Sequence, residues 1–239
     1  MSVRVSPSEA TARGTAENYR RLLWAGIIGP LIFVTVFTSD GLLKPGYSAY
    51  AEAISYLEVG ANGWIQQANF ALLGVLLLVF LAGYVWRMGP VLGQGWLYAA
   101  TAWLAISDLG WIMAGLFTPN PFRTPQYSGH GVLHQIASAT VFLPLAIACL
   151  ILGAKLIRTR QWRGYGWYCL IFGLVQLVYP IGTLAYLINP TAFGNVNGPN
   201  DGVIQRIVVV GGPVTWYVVS AIIALRWAKR ASGQVAAIV

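Results

Sequence analysis

Charged residues are scarce in this sequence: Asp, Glu, Lys and Arg together make up 9% of the 239 residues. A soluble domain contains about 25%, and so few charges cannot cover a water-exposed surface of this size. The shortage excludes a soluble cytosolic enzyme and a disordered chain. Cysteine is also scarce. Because Cys149 and Cys169 both fall inside apolar runs, a disulfide scaffold is excluded as well.

Apolar residues are abundant: they make up 57% of the chain and give a mean hydropathy of +0.64. A helix that crosses a bilayer needs about 17–25 mostly apolar residues. Six stretches qualify: 22–38, 64–86, 96–117, 134–157, 165–187 and 203–225. We therefore predict an all-α integral membrane bundle of six transmembrane helices, forming one domain over 19–230. Residues 1–18 are predicted to be a mobile cytoplasmic tail, and 231–239 a cytoplasmic C-terminal tail.

Basic residues are distributed unevenly between the two sides of this bundle. Of the 15 Lys and Arg residues, twelve fall on one side. The other side has three: Lys44, Arg123 and Arg206. Since positive residues concentrate on the cytoplasmic side, this predicts a multi-pass protein of the cell membrane with both termini in the cytoplasm. Topology also accounts for the net charge of +8, so we expect a lipid environment and no nucleic-acid partner.

Asp108 is the most unusual polar residue, because it lies inside the third apolar stretch, about nine residues from its outer end. At 1.5 Å per residue this is roughly 14 Å below the surface. An ionised carboxylate costs at least ~2.5 kcal/mol there, so the side chain is either protonated or paired. Intramembrane acids commonly act in function, and we predict that Asp108 is a general acid. The alternative is a hydrogen bond that holds helices together.

Most of the other acids and both histidines also lie in the outer half, which predicts an active site open toward that side. Asp40, Glu52 and His134 are candidates to remove or relay a proton. Side chains at similar depth are predicted to bind the substrate: Gln66, Asn69, Trp111, Gln176, Tyr179, Arg206 and Trp216. For Arg206, pairing with an acid and extension toward the lipid headgroups are both open.

His130 and His134 are four residues apart, which places both rings on one helix face. That geometry suits two ligands of one metal ion. The sequence has no H-E-x-x-H context around them, and two rings on one face cannot hold a haem from opposite sides. We therefore predict no metal and no cofactor, and the alternative is a metal ion held by the two rings with Asp108 or Glu52 as a third ligand.

The loop after the first span has a helical pattern of its own. Its apolar positions repeat at helical spacing: Tyr47, Tyr50, Ile54 and Leu57. The opposite face is polar: Ser48, Glu52 and Ser55. The pattern predicts an amphipathic helix at the membrane interface. Such a helix either covers a pocket between the spans or lies at the headgroups.

Several segments together resemble the domain of unknown function 998 family of bacterial integral membrane proteins. They are Gly29-Pro-Leu, Asp40-Gly-Leu-Leu-Lys-Pro-Gly-Tyr, Ile54-Ser-Tyr-Leu, Gly63-Trp-Ile-Gln-Gln-Ala-Asn-Phe and Gly131-Val-Leu-His. The resemblance extends from about Leu22 to Arg226. It implies a compact helical bundle with recurring polar positions toward the outer side: Ser55, Gln66, Asn69 and His134. It implies no particular reaction.

Two functions fit these residues best. The first is an intramembrane enzyme that performs acid–base chemistry, of isomerisation or cyclisation type, on an isoprenoid- or lipid-like molecule that enters from the bilayer. The second is a lipid-binding or transport protein that uses the same pocket without catalysis. A structural partner of other membrane proteins is a third possibility, and the sequence specifies no oligomeric state.

Overall fold

The structure is a computed structural model that describes residues 7–121, 128–181 and 200–236, with the side chains of 14–121, 128–181 and 200–227. In these residues all regular secondary structure is helical. The α-helices are α1 (Pro7–Leu22), α2 (Ala25–Leu43), α3 (Gly63–Leu92), α4 (Gln94–Leu116), α5 (Gly129–Leu156), α6 (Arg163–Gln176), α7 (Asp201–Val209) and α8 (Thr215–Ala236). Short 3-10 helices cover Ile54–Glu58 and Arg160–Trp162, and a π-helical turn covers Val210–Val214.

The prediction of six membrane spans is confirmed. Six helical segments of the described chain are long and apolar enough to cross a bilayer: Gly14–Leu43, Gly63–Leu92, Gln94–Leu116, Gly129–Leu156, Arg160–Ile181 and Asp201–Trp227. The chain is therefore a multi-pass membrane protein. The last part of the predicted fifth span, 182–187, lies outside the described residues.

Helices that follow one another in sequence pack side by side, from α2 to α6. α8 closes the bundle because it packs against α2 and α3. The centre is filled by large side chains, among them Phe33, Phe80, Tyr84 and Trp216, all fully buried. α3 and α4 are separated by Gly93 alone, whose positive φ of 76° reverses the chain at a position where a side chain would be strained.

The sixth span is interrupted. The backbone of Gly212 departs from helical geometry (φ −92°, ψ −115°), immediately before Pro213. Because proline has no N–H to donate to the next helical hydrogen bond, the regular backbone hydrogen-bond pattern is interrupted here. A π turn joins α7 to α8 instead. The break lets α7 approach the loop that follows α2.

That loop differs from the prediction. The expected amphipathic helix over the Tyr47–Leu57 region is replaced by turns up to Ala53 and a five-residue 3-10 helix, Ile54–Glu58. The apolar residues have helical spacing, but several backbone carbonyls of the loop accept hydrogen bonds from side chains instead of from the N–H groups of an α-helix. Ile54 and Leu57 face inward and are buried, so this segment covers the bundle instead of lying among the headgroups.

The predicted N-terminal tail also contains regular structure. Its residues are helical from Pro7 onward in α1. Just beyond the predicted tail, the ring of Tyr19 stacks on Trp86 of α3 at 5.2 Å. At the other terminus α8 continues to Ala236, inside the predicted C-terminal tail. Residues 1–6 and 237–239 lie outside the described residues.

The bundle has two chemically different ends. We call the end that contains Asp40, Glu52, Glu58 and Asp201 the acidic end. The opposite end contains Arg20, Arg21, Arg87, Arg158 and Arg163, and we call it the basic end.

Candidate functional site

A small internal cavity lies at the acidic end, and its volume is about 30 Å³. Five elements contribute residues to its wall: Ile54 and Ser55 of the loop, Phe70 of α3, Trp111 and Ala114 of α4, His134, Ser138, Val141 and Phe142 of α5, and Gln205 and Val209 of α7. A water molecule needs about 10–15 Å³ of such space. The cavity therefore has room for about two waters, or for one small functional group of a larger molecule.

Lys44 holds the loop over this cavity. Its ammonium donates to the carbonyl oxygens of Tyr56, Leu57 and Val59 at 3.0, 2.9 and 2.5 Å. Partial burial lowers the pKa of Lys44, and the charges of Asp40 and Glu52 oppose that shift. Three charge-assisted hydrogen bonds from one cation fix the 3-10 turn that carries Glu58.

Arg206 of α7 holds the same loop from the other side. One guanidinium nitrogen donates to the carbonyls of Glu52 and Gly202, each at 2.9 Å. Another donates to the hydroxyl of Tyr47 at 2.5 Å. No carboxylate lies within 4 Å of Arg206 in the described part of the chain. Arg206, predicted to bind substrate, thus positions the loop, and it neither pairs with an acid nor extends to the headgroups.

Tyr47 and Gln205 complete this attachment. The Tyr47 hydroxyl lies 3.1 and 3.0 Å from the carbonyl oxygens of Glu52 and Ala53, and burial raises the pKa of Tyr47. The side-chain oxygen of Gln205 accepts the N–H of Ile54 at 2.5 Å. The carboxylate of Glu52, predicted as a base, accepts the N–H of Ser48 at 3.0 Å and so stabilises the turn.

Glu58 and His134 form the most unusual pair at this end. Glu58 is 2% exposed and His134 3%. His134 Nδ1 lies 3.8 Å from Glu58 Oε1 and 2.6 Å from the carbonyl oxygen of Phe117. A carbonyl only accepts, so we assign the ring proton to Nδ1, which leaves Nε2 as the basic nitrogen.

No described group donates a hydrogen bond to either carboxyl oxygen of Glu58. Burial without a cationic partner raises the pKa of Glu58 to about 9. The group is therefore protonated at neutral pH and can donate a proton. Glu58 is not among the candidates predicted from the sequence, although it directly follows the Ile54-Ser-Tyr-Leu motif.

The predicted amide pair lies in the first turns of α3. Asn69 Nδ2 donates to the carbonyl of Phe33 and to Gln66 Oε1, both at 3.1 Å. Both side chains are buried, and Gln66 Nε2 and Asn69 Oδ1 have no hydrogen-bond partner among the described residues. Together with Trp111 Nε1, which is also unpartnered, they supply two donors and one acceptor inside the apolar bundle.

Asp108 is fully buried, as the sequence predicts, but it does not line the cavity. Tyr217 of α8 donates a hydrogen bond to Asp108 Oδ1. Beside it, Ser107 Oγ donates to the carbonyl of Val141 at 2.8 Å. These bonds connect α4 to α8 and to α5. This arrangement matches the packing role left open for Asp108, while Trp111, one turn further on, reaches the cavity.

The remaining candidates are dispersed. Asp40 is partly exposed near the end of α2. Tyr179 packs its ring on Phe142 at 4.8 Å, behind the cavity wall. Trp216 is fully buried against Tyr217. Gln176 lies against Gly212, where a Cβ would overlap the Gln176 amide, so Gln176 supports the break in the sixth span.

The histidines weighed as metal ligands are in different surroundings. His130 is exposed and contacts the Phe117 ring edge-on at 5.8 Å, whereas His134 is buried beside Glu58. Within the described residues, no three His, Cys, Asp or Glu side chains come together as a metal site. Of the predicted catalytic residues, the structure places His134 alone at the cavity.

Fold and site together define a polytopic α-helical membrane protein with a buried carboxyl–imidazole pair, of which the His134 imidazole lines a covered cavity. The chain belongs to the family described as protein of unknown function (DUF998), whose family model matches residues 27–223. That match confirms the resemblance seen in the sequence motifs. Searches of curated proteins and of solved structures found no significant match.

Proposed function

We propose that this protein is an intramembrane enzyme that moves protons on an isoprenoid- or lipid-like small molecule, with Glu58 and His134 as the acid–base pair. The observation that carries the proposal is the Glu58 carboxyl, buried without a described hydrogen-bond donor beside the His134 imidazole. Two titratable groups whose surroundings give one a proton to donate and the other a lone pair are the usual requirement for general acid–base catalysis.

In the proposed reaction Glu58 donates its proton to an alkene, epoxide or carbonyl of the substrate. His134 Nε2 then removes a proton from a neighbouring carbon, which gives an isomerised or cyclised product. The Nε2 proton then returns to the Glu58 carboxylate through water that enters as the product leaves, because the proton on Nδ1, 3.8 Å from Glu58, stays bonded to the carbonyl of Phe117. The faces of Trp111 and Phe70, which line the cavity, are suited to stabilise positive charge that develops on the substrate.

The size of the cavity limits how the substrate binds. A volume of about 30 Å³ admits a reacting group but not a whole isoprenoid, so the apolar remainder must lie between helices or displace the loop. The loop held by Lys44 and Arg206 is the natural segment to move, because its attachments are side-chain bonds instead of a helical ladder.

The location is part of the proposal. The concentration of Lys and Arg at the basic end favours a cytoplasmic position for that end and for both termini, in the cell membrane. The cavity then lies toward the outer leaflet.

A lipid-binding or transport protein remains the second candidate. The unpartnered groups of Gln66 and Asn69 favour it, since amides recognise a hydroxyl or carbonyl without contributing acid–base chemistry.

The test compares the wild type with Glu58→Gln and Glu52→Gln in detergent. Each protein is incubated with bacterial lipid extract and a panel of prenyl alcohols, and the products are followed by liquid chromatography and mass spectrometry. Glu52→Gln is the matched control because its carboxylate bonds to the backbone of its own turn. We expect product from the wild type and the control and a loss of at least roughly 100-fold in Glu58→Gln.

Native mass spectrometry of the same samples separates the two candidates. A ligand that all three proteins retain unchanged would favour binding or transport. Equal turnover by wild type and Glu58→Gln would refute the assignment of Glu58 as the acid.

A further inference from the structure

Arg87 of α3 is a half-buried cation, and no carboxylate lies within 4 Å of it among the described residues. Its Nε and Nη2 atoms are buried, and neither has a hydrogen-bond partner among the described residues. The guanidinium lies over the ring of Trp227, 5.6 Å from its centroid. An aromatic face stabilises a cation partly, but it accepts none of the N–H groups in the guanidinium plane.

A second unpartnered donor lies next to the same ring. Trp162 packs on Trp227 with ring centroids 4.9 Å apart, and Trp162 Nε1 is also buried without a described partner. Arg87 and Trp162 therefore both place unpartnered N–H donors next to the same indole. These residues come from three different elements: α3, the 3-10 turn before α6, and α8.

Acids near this cluster are few. Segments 84–97, 155–167 and 222–239 contain no Asp or Glu at all. Two acids belong to α1 at the same end. The side chain of Glu9 lies outside the described side chains, and the carboxylate of Glu17 binds Arg20 at 2.8 Å and lies 3.5 Å from Arg21. A guanidinium cannot discharge by losing its proton. Because the guanidinium is half-buried and no described carboxylate neutralises it, this cluster can accept an anion from outside the chain.

We propose that Arg87, Trp162 and Trp227 form a binding site for the phosphate group of an anionic phospholipid. Phosphate oxygens accept from a guanidinium in a bidentate manner, and basic pockets between transmembrane helices bind such headgroups. Arg87 lies five residues before the end of a helix long enough to span a bilayer, which is where lipid headgroups are expected, and indoles commonly lie at this interface. The site is independent of the function proposed for the acidic end.

The test measures lipid retained by the purified protein with native mass spectrometry. Phosphatidylglycerol and phosphatidylcholine with the same acyl chains are added in turn to wild type, Arg87→Gln, Trp162→Phe and Arg158→Gln. Arg158 is exposed at the same end, so its variant matches the charge change of Arg87→Gln. Trp162→Phe keeps an aromatic ring and removes the N–H donor.

We expect the wild type and Arg158→Gln to retain one phosphatidylglycerol in preference to phosphatidylcholine. Arg87→Gln should bind it roughly 10- to 100-fold more weakly, and Trp162→Phe about 2- to 10-fold more weakly. If Arg87→Gln does not fold, Trp162→Phe still tests the site. Displacement of the lipid by millimolar inorganic phosphate or glycerol phosphate would identify a soluble phosphate as the ligand. Equal retention by all four proteins, or equal loss in Arg158→Gln, would overturn the site.

Discussion

The charged side chains at the two ends of the bundle differ in what they bind. At the acidic end the cations point inward and bind backbone: Lys44 and Arg206 together donate to five carbonyl oxygens. The buried acid there, Glu58, receives no cation. At the basic end Arg158 and Arg163 are exposed, and the half-buried Arg87 has no anionic partner within the described part of the chain.

The difference shows how an apolar interior tolerates each type of group. A carboxyl can become neutral by binding a proton, which is the state that burial imposes on Glu58. A guanidinium remains charged at any physiological pH. On our proposals, the acidic end therefore holds a neutral carboxyl with a donatable proton, whereas the basic end binds an anionic ligand. Each half of this comparison can be tested by substitution.

The largest expected effect is at the junction that positions Glu58. A Cβ built on Gly63 would overlap the backbone carbonyl of Glu58, whereas one on Gly95, at the basic end, meets nothing within 4 Å. Gly63→Ala should cost about 3 kcal/mol or more, at the upper end of overpacking. Gly95→Ala should change stability by about 1 kcal/mol or less, in the stabilising direction.

Thermal unfolding followed by tryptophan fluorescence, together with titration by sodium dodecyl sulfate, measures both variants. Equal melting temperatures for Gly63→Ala and the wild type would show that the Glu58 turn does not depend on this close approach.

A smaller effect is expected from titration of Glu58. The carboxyl holds its proton up to a pKa of about 9 in the folded protein, but in the unfolded chain it loses the proton near 4.5. Its contribution to stability is thus fully present below about pH 4.5 and is lost as the pH rises toward 9. Between pH 6 and pH 8 the loss is at most about 2.7 kcal/mol, at 1.36 kcal/mol per pH unit.

Glu58→Gln cannot titrate, so its stability should vary less with pH than that of the wild type. Melting temperatures of the two proteins from pH 5 to pH 9 test this, with Glu52→Gln as the control that keeps the wild-type slope. Parallel curves for wild type and Glu58→Gln would mean that Glu58 is ionised and paired in the folded protein.

The overall architecture could be predicted because it depends on composition. Six apolar stretches of sufficient length have no alternative to crossing the bilayer as helices, and the buried position of Asp108 follows from its place in the third stretch. The loop over the cavity could not be predicted in the same way. Its spacing is helical, but its carbonyls are bound by Lys44 and by Arg206, which is about 150 residues away in sequence.

The candidate site could not be predicted in full for the same reason, because it depends on contacts between residues far apart in sequence. From the sequence, Glu58 lies in a loop, where an acid is expected to be solvated. In the structure it is buried, because α5 brings His134, 76 positions later, beside it. Conversely, Glu52 and Arg206 have the residue types expected of catalysis and binding, but their contacts show that they position the backbone. Residue type and depth are visible in a sequence, whereas pairing across helices is not.

The smallest effect concerns Asp108 and Tyr217, which lie between the two ends. If their hydrogen bond connects α4 to α8, then Asp108→Asn and Tyr217→Phe each destabilise the protein. The double variant should show a coupling of about 1 kcal/mol, the usual size of such bonds between membrane helices. Asp108→Asn combined with Tyr165→Phe should be additive, because the Tyr165 hydroxyl bonds to Ser220 and Tyr84 instead.

Turnover decides which region is catalytic. With Glu58 as the acid, Asp108→Asn should keep its activity at temperatures where it remains folded. Loss of turnover in Asp108→Asn at unchanged stability would return the catalytic role to Asp108. The reaction would then take place in the middle of the bundle. The contrast between a neutral carboxyl at the acidic end and a guanidinium without an anion at the basic end would then describe packing alone.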